Sequence, residues 1–260
     1  MVLLGHPVAH SLSPRFQNAA LERAGVAARY EALDVAPAGL ASVLKQLIAE
    51  GAAGNVTVPH KAAVAAACAR RTPIADRVGA VNVFWVEDGQ LVGDNTDVGG
   101  FDYAVKKLLG IFPLRVTILG SGGSAAAVVA AVSAWPGARA TIWGRTHAHA
   151  EALASRFARA ATANAWLDDA LDGADLVVNA TPVGLDGTTL PVDVVRLPLR
   201  ADVIDLVYRP GETAWVRSAR ANGHRAADGL AMLVEQGALA FERWFGFAPD
   251  RGAMWAAAAE

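Results

Sequence analysis

From Arg115 onward the chain alternates short apolar strands with helices, and that alternation is the strongest constraint on its fold. The pattern predicts strand 115–119, a glycine loop, helix 124–134, strand 140–143 and helix 148–160, then strands 175–181 and 202–208. Strands separated by helices do not close as hairpins. They pair in parallel with helices over both faces, the doubly wound arrangement of nucleotide-binding domains.

A second α/β pattern precedes it. Strands 2–4, 29–35 and 54–58 alternate with helices 14–24, 37–50 and 60–69, and a hairpin follows, 81–86 and 90–93, turning at Asp88-Gly89. This again predicts a mostly parallel sheet. The character changes near residue 110, where Gly110-Ile111-Phe112-Pro113 reads as a hinge. The amphipathic segment 229–245 has no strand after it and is expected to return to the first domain. The expected boundaries are 1–97 with 229–260 for one domain and 98–228 for a Rossmann-like second, with the hinge-like stretch inside the latter. A chain of 260 residues, 53% hydrophobic and 18% charged, can bury two modest cores.

Charge excludes some classes. A formal net charge of -2 offers no footprint for nucleic acid. The alanine-rich runs 62–69 and 124–134 are too short to span a bilayer, and the N-terminus lacks a basic region followed by an apolar core, so a cytoplasmic protein is expected. Cys68 is the single cysteine and has no internal partner. The six histidines are scattered and no second cysteine joins them, so no metal site is expected.

The loop Gly120-Ser121-Gly122-Gly123-Ser124 lies between a buried strand and a small-residue helix. Glycines there let the backbone turn tightly and approach a pyrophosphate, whose charge the helix N-terminus favours. The third glycine of the usual fingerprint is missing, although Ala125 and Ala126 still permit close packing, and no Gly-Lys-Ser/Thr ending of a P-loop is present. After the next strand comes Gly144-Arg145-Thr146, with no acidic residue before Glu151. An Asp or Glu there would suit the ribose hydroxyls of NAD, whereas Arg145 suits a 2′-phosphate. The alternative for Arg145 is a solvated loop cation.

Three polar clusters interrupt the first half: Asn55-Val56-Thr57-Val58-Pro59-His60-Lys61, Gly79-Ala80-Val81-Asn82 and Gly93-Asp94-Asn95-Thr96-Asp97. Taken singly, Lys61 is a surface residue in the first turn of a helix and Asp97 an N-cap. Together they gather amides, a hydroxyl, an amine and a carboxylate near the ends of strands, company that a surface lysine and a simple cap do not account for.

These motifs, with His10-Ser11-Leu12-Ser13-Pro14, Asn179-Ala180-Thr181-Pro182, residues 205–210 and Asp228-Gly229-Leu230 to Gln236, resemble those of the shikimate dehydrogenases, in the family's order and over nearly the whole chain. The resemblance implies a cofactor, NADP(H), and a reaction, reversible reduction of 3-dehydroshikimate to shikimate in aromatic amino-acid biosynthesis. It implies that Lys61 and Asp97 are the catalytic pair, with proton transfer at Lys61 and orientation and charge support at Asp97, or with the roles shared. Ser11 and Ser13 would hold the substrate carboxylate with Tyr208, and Asn55, Thr57, Asn82 and Gln236 would meet ring hydroxyls or orient their neighbours. The cofactor would lie on Gly120, Ser121, Gly122, Gly123, Ser124, Gly144, Arg145, Thr146, His149 and Thr181, with Leu206 and Gly229 beside its nicotinamide. A turn and N-cap before Pro14 is the local alternative for the two serines.

The chain departs from the family's pattern at Gln17, at Val83 and, of more consequence, at Gly144 and His149, where Asn and a second Arg are common. NADP preference with weaker discrimination against NAD is therefore expected, since His149 adds charge only when protonated. The competing readings are a quinate or aminoshikimate dehydrogenase on the same scaffold, and an NADP(H)-binding sensor without turnover. Both monomer and homodimer are compatible with the sequence.

Overall fold

The structure, a computed structural model, describes residues 1–259 and divides into two compact units, Met1–Gly100 with Leu233 onward, and Phe101–Met232.

In the first unit the strands are β1 (Val2–Gly5), β2 (Glu31–Asp34), β3 (Gly54–Val56), β4 (Arg70–Arg71), β5 (Val83–Glu87) and β6 (Gln90–Asp94). The helices are α1 (Ser13–Arg23), α2 (Leu40–Ala49), α3 (Lys61–Ala67) and α4 (Pro73–Val78), together with the start of α5 (Asp97–Leu109), most of α10 (Leu230–Phe245) and α11 (Arg251–Ala259). The sheet order is β2-β1-β3-β5-β6-β4, and β5 alone runs against its neighbours, so the mostly parallel sheet expected from the alternation is present. The hairpin turns where expected. Asp88 and Gly89 both have positive φ, 53° and 69°, the conformation of a two-residue turn that matches strand twist.

Several expected elements are shorter than the pattern implied. Strand 54–58 stops at Val56, the helix expected over 60–69 begins at Lys61 and ends at Ala67, and strand 29–35 contracts to β2. Residues 37–39 form a 3₁₀ turn ahead of α2. β3 is central and buried at every residue, which is why Asn55 had to find partners inside the protein. The core here joins Leu4, Val56, Val64, Phe84 and Leu91 beneath Leu40, Leu44 and Leu47 of α2, each such buried side chain contributing about 1.5–3 kcal/mol.

The second unit holds most of α5, then β7 (Arg115–Leu119), α6 (Gly123–Val132), β8 (Arg139–Trp143), α7 (His147–Ser155), β9 (Ala161–Ala163), α8 (Leu167–Leu171), β10 (Leu176–Asn179), β11 (Asp202–Asp205), α9 (Ala214–Ala221), β12 (Ala226–Ala227) and the first turn of α10. Its six strands are all parallel in the order β12-β11-β10-β7-β8-β9. That order reverses direction between β7 and β10, the switch point at which doubly wound sheets bind dinucleotides. α6 owes its position to small side chains, since Ala125 to Val132 are all buried. Among the described residues no helix is long and apolar enough to cross a membrane.

Candidate functional site

Lys61 opens α3 directly after the turn that follows β3, and Asp97 opens α5 directly after β6. Lys61 Nζ lies 2.6 Å from Asp97 Oδ2, and their side chains are 13% and 6% exposed. The carboxylate therefore does not act as a simple cap, because side chains hold both of its oxygens: Asn82 Nδ2 is 2.8 Å from Oδ1. Asn82 Nδ2 also lies 3.0 Å from Gln236 Oε1 and 3.0 Å from Thr96 Oγ1. An amide nitrogen has two protons, so Asp97 and Gln236 take them and the Thr96 hydroxyl donates instead to Asn82 Oδ1, 3.3 Å away. Thr96 N donates to the same oxygen at 2.7 Å. Asn82 is thus the hub of a buried network whose single ammonium is Lys61. That ammonium has three protons and, among the described residues, Asp97 is its one side-chain partner.

Asn55 is fixed from both ends. Tyr30 Oη donates to its Oδ1 at 2.7 Å, and its Nδ2 donates to the Asn82 carbonyl at 3.1 Å. Burial holds the Tyr30 hydroxyl well above its ordinary pKa, against the opposing bond to Asn55, so it stays protonated as that donor. Sequence reasoning missed Tyr30. No local pattern marks it, since the contact spans two parallel strands and their crossovers. Thr57 lies one residue past β3 and packs on Gly5, where an added Cβ would come within 2.4 Å of its Cγ2. Ser11 Oγ accepts from Ser13 N at 3.2 Å, the local turn bond before Pro14, and Ser13, buried, begins α1. The first unit thereby brings together Lys61, Asp97, Asn82, Gln236 and Asn55, whereas Tyr208 lies in the second unit beyond β11.

In the second unit the glycine loop follows β7. Gly120 has φ +119°, and a Cβ there would lie 2.9 Å from the Ala180 carbonyl oxygen. A Cβ at Gly122, by contrast, would meet nothing within 4 Å. α6 starts at Gly123 with no side-chain cap, so its first amides face an open approach suited to a pyrophosphate. Ser121 and Ser124 are partly buried beside them. At the end of β8, Gly144 is close to Ser121, with 3.4 Å between an added Cβ and Oγ. Arg145, Thr146 and His149 are exposed, and the Thr146 side chain makes no capping bond at the start of α7. An exposed guanidinium, a hydroxyl and an imidazole follow β8, with no acidic residue in sequence before Glu151, and this set suits the 2′-phosphate of NADP.

Thr181 is held from behind. Its N and Oγ1 donate to Asn179 Oδ1 at 3.0 and 2.6 Å, and Asn179 Nδ2 donates to Asp205 Oδ1 at 2.8 Å. Burial pushes the Asp205 carboxyl above its ordinary pKa, with bonds from Thr213, Asn179 and Val207 N opposing. Gly229 is sterically obligatory, because a Cβ there would lie 2.2 Å from the Leu206 carbonyl oxygen. Among the described residues no cluster of potential metal ligands occurs, and Cys68 is buried with its thiol pushed up to about 11 by burial.

Comparison with known proteins gives a consistent picture. Residues 3–84 match the profile of the shikimate dehydrogenase substrate binding domain, and residues 229–259 that of the shikimate 5'-dehydrogenase C-terminal domain. The shikimate dehydrogenase (NADP(+)) of Methylocella silvestris is 44% identical over 95% of this chain and 90% of its own length. The structure of shikimate 5-dehydrogenase from Thermus thermophilus, in complex with NADP(H) and shikimate, superposes with a TM-score of 0.89 at 41% identity, covering 99% of this chain and 97% of that one. The quinate dehydrogenase of Corynebacterium glutamicum, in complex with NAD, also gives 0.89, at 29% identity over 98% of this chain and 96% of that one.

Proposed function

The chain belongs to the shikimate dehydrogenase family, and on that premise we propose that it reduces 3-dehydroshikimate to shikimate, reversibly, with NADP(H). The observation that carries this reading is the buried Lys61–Asp97 pair, 2.6 Å apart and joined through Asn82 to Gln236.

Bound NADPH supplies the hydride that converts the ketone carbon to an alcohol. Lys61 then has a definite task. As negative charge grows on the carbonyl oxygen, an Nζ proton is transferred to it, and in the oxidative direction the neutral amine takes that proton back. Asp97 fixes the Nζ position and balances its charge. Asn82, itself steadied by Gln236, holds the Asp97 carboxylate in place, while Gln236, Thr57 and Asn55 offer polar edges to ring hydroxyls. Ser11 and Ser13 bind the substrate carboxylate. Two hydroxyls in the Ser-x-Ser motif favour shikimate over quinate.

Gly120 to Ser124 hold the pyrophosphate, and Arg145, Thr146 and His149 the 2′-phosphate, with Gly144 leaving room beside Ser121. Thr181, Leu206 and Gly229 line the nicotinamide end. The reaction belongs in the cytoplasm, where a lone reduced cysteine is at home.

The test is initial-rate NADPH formation with shikimate, run beside quinate and beside NAD. Turnover mainly with shikimate and NADP is expected. A preference for quinate would reassign the enzyme, and NADPH binding without turnover of any substrate would make it a sensor.

A further inference from the structure

From Gln236 to Trp244, α10 is fastened within the first unit. Gln17 Nε2 donates to the Gly237 carbonyl at 2.9 Å and Trp244 Nε1 to the Phe84 carbonyl at 3.2 Å. Gln236 reaches Asn82, and two turns later on the same side Arg243 Nε lies 2.7 Å from Asp94 Oδ2. The Asp94 side chain is 2% exposed and that of Arg243 54%, so a half-solvated cation closes over a buried carboxylate.

Asp94 stands at a junction. Its Oδ1 accepts from the Thr72 hydroxyl, which caps α4, and from Asn95 N at 2.7 Å. Its carbonyl accepts from Asn82 N at 3.1 Å. Asn95 in turn accepts from Asp97 N at 3.1 Å and donates to the Ala80 carbonyl at 2.8 Å. Asp94 therefore touches Asn82 through its backbone carbonyl, and through its carboxylate the turn that leads to Asp97 and the helix that carries Gln236.

We propose that Arg243 is a positioning residue for the reaction assigned above, acting through Asp94 to hold Asp97 and Gln236 in register on Asn82. The proposal rests on that assignment for its kinetic consequence but not for its geometry. With Arg243 gone, Asp94 Oδ2 loses its partner and α10 loses one of its anchors, and small displacements of groups remote from the chemistry are enough to cost large factors in rate.

The variants are Arg243→Met and Arg243→Lys, and the readouts are steady-state constants and, without any ligand, hydrogen exchange of the Asn82 and Gln236 side-chain amides by NMR. Arg243→Met is expected to lower kcat/KM for shikimate about ten- to a hundredfold, to leave NADP affinity unchanged and to accelerate Asn82 amide exchange. Arg243→Lys should restore most of both. Unaltered Asn82 exchange in a folded Arg243→Met protein overturns the proposal, as do unaltered shikimate constants in an active enzyme. Should the wild-type protein prove silent toward shikimate, the assigned reaction falls and amide exchange alone decides the positioning role.

Discussion

Asn82 Nδ2 stands 2.8 Å from Asp97 Oδ1 while Lys61 takes the other oxygen of the same carboxylate, so a neutral amide and an ammonium share one anion inside the first unit. The arrangement aims Asp97 from two sides and leaves Lys61 protons for another acceptor.

Lys61→Ala should lower kcat about a hundred- to ten-thousandfold, the usual range for loss of a general acid–base group, with KM for NADP little changed. Asp97→Asn keeps the shape but loses the ion pair and should fall in the same direction by a smaller factor. Steady-state kinetics in both directions checks this. Wild-type rates in Lys61→Ala would remove it from the mechanism.

Asn82→Leu strips the hub of its donor and leaves Asp97 Oδ1 and Gln236 Oε1 buried without it. A stability loss of about 1–3 kcal/mol is expected, together with a drop in kcat/KM for shikimate. Denaturant unfolding beside kinetics separates the two effects.

Gly120→Ala forces a Cβ to within 2.9 Å of the Ala180 oxygen at φ +119°. The strain is worth about 1–3 kcal/mol, and relief by moving the loop should weaken NADP binding. Calorimetric titration with NADP on a variant that still folds would show it, whereas unchanged affinity would mean that the loop yields without cost.

Arg145→Ala should raise KM for NADP about tenfold, equivalent to about 1.4 kcal/mol, and leave the NAD constants nearly untouched. His149→Arg should widen the preference for NADP. The ratio of kcat/KM for the two cofactors measures both, and an equal ratio in wild type would contradict the 2′-phosphate assignment.

The Asp205 carboxyl is raised by burial above its ordinary value of 3.8, so between 3.8 and its folded-state value the native protein binds more protons than the unfolded chain. Stability from this group is full below 3.8 and is lost as the pH rises through the folded value. Asp205→Asn, which keeps an acceptor for Asn179, removes that dependence. Relative to wild type, its Tm should improve as the pH is raised from about 4 to about 7. A difference independent of pH would show that the carboxyl is not raised.

Local pattern revealed the elements that carry chemistry and missed those defined only by pairing. β9 and β12, Ala161–Ala163 and Ala226–Ala227, consist almost wholly of alanine, a poor strand former, and exist because β8 and β11 offer them edges. β4, two arginines beside β6, is invisible for the same reason. α4, α8, α9 and α11 also escaped, the first two too short for a periodic stripe. The candidate site was legible because its residues sit in compact motifs at strand ends. Tyr30 and Arg243 were not, since each reaches its partner across the fold and neither has an informative neighbour in sequence.

α6 has a consequence for how this enzyme can change. A helix buried on every side from Ala125 to Val132 has no tolerant position from which cofactor affinity could drift by small steps, whereas Arg145, Thr146 and His149 stand in solvent and are free to vary. Evolution or an engineer can therefore exchange one dinucleotide for the other at the rim while the phosphate cradle stays frozen, so selectivity is adjustable here and affinity is inherited.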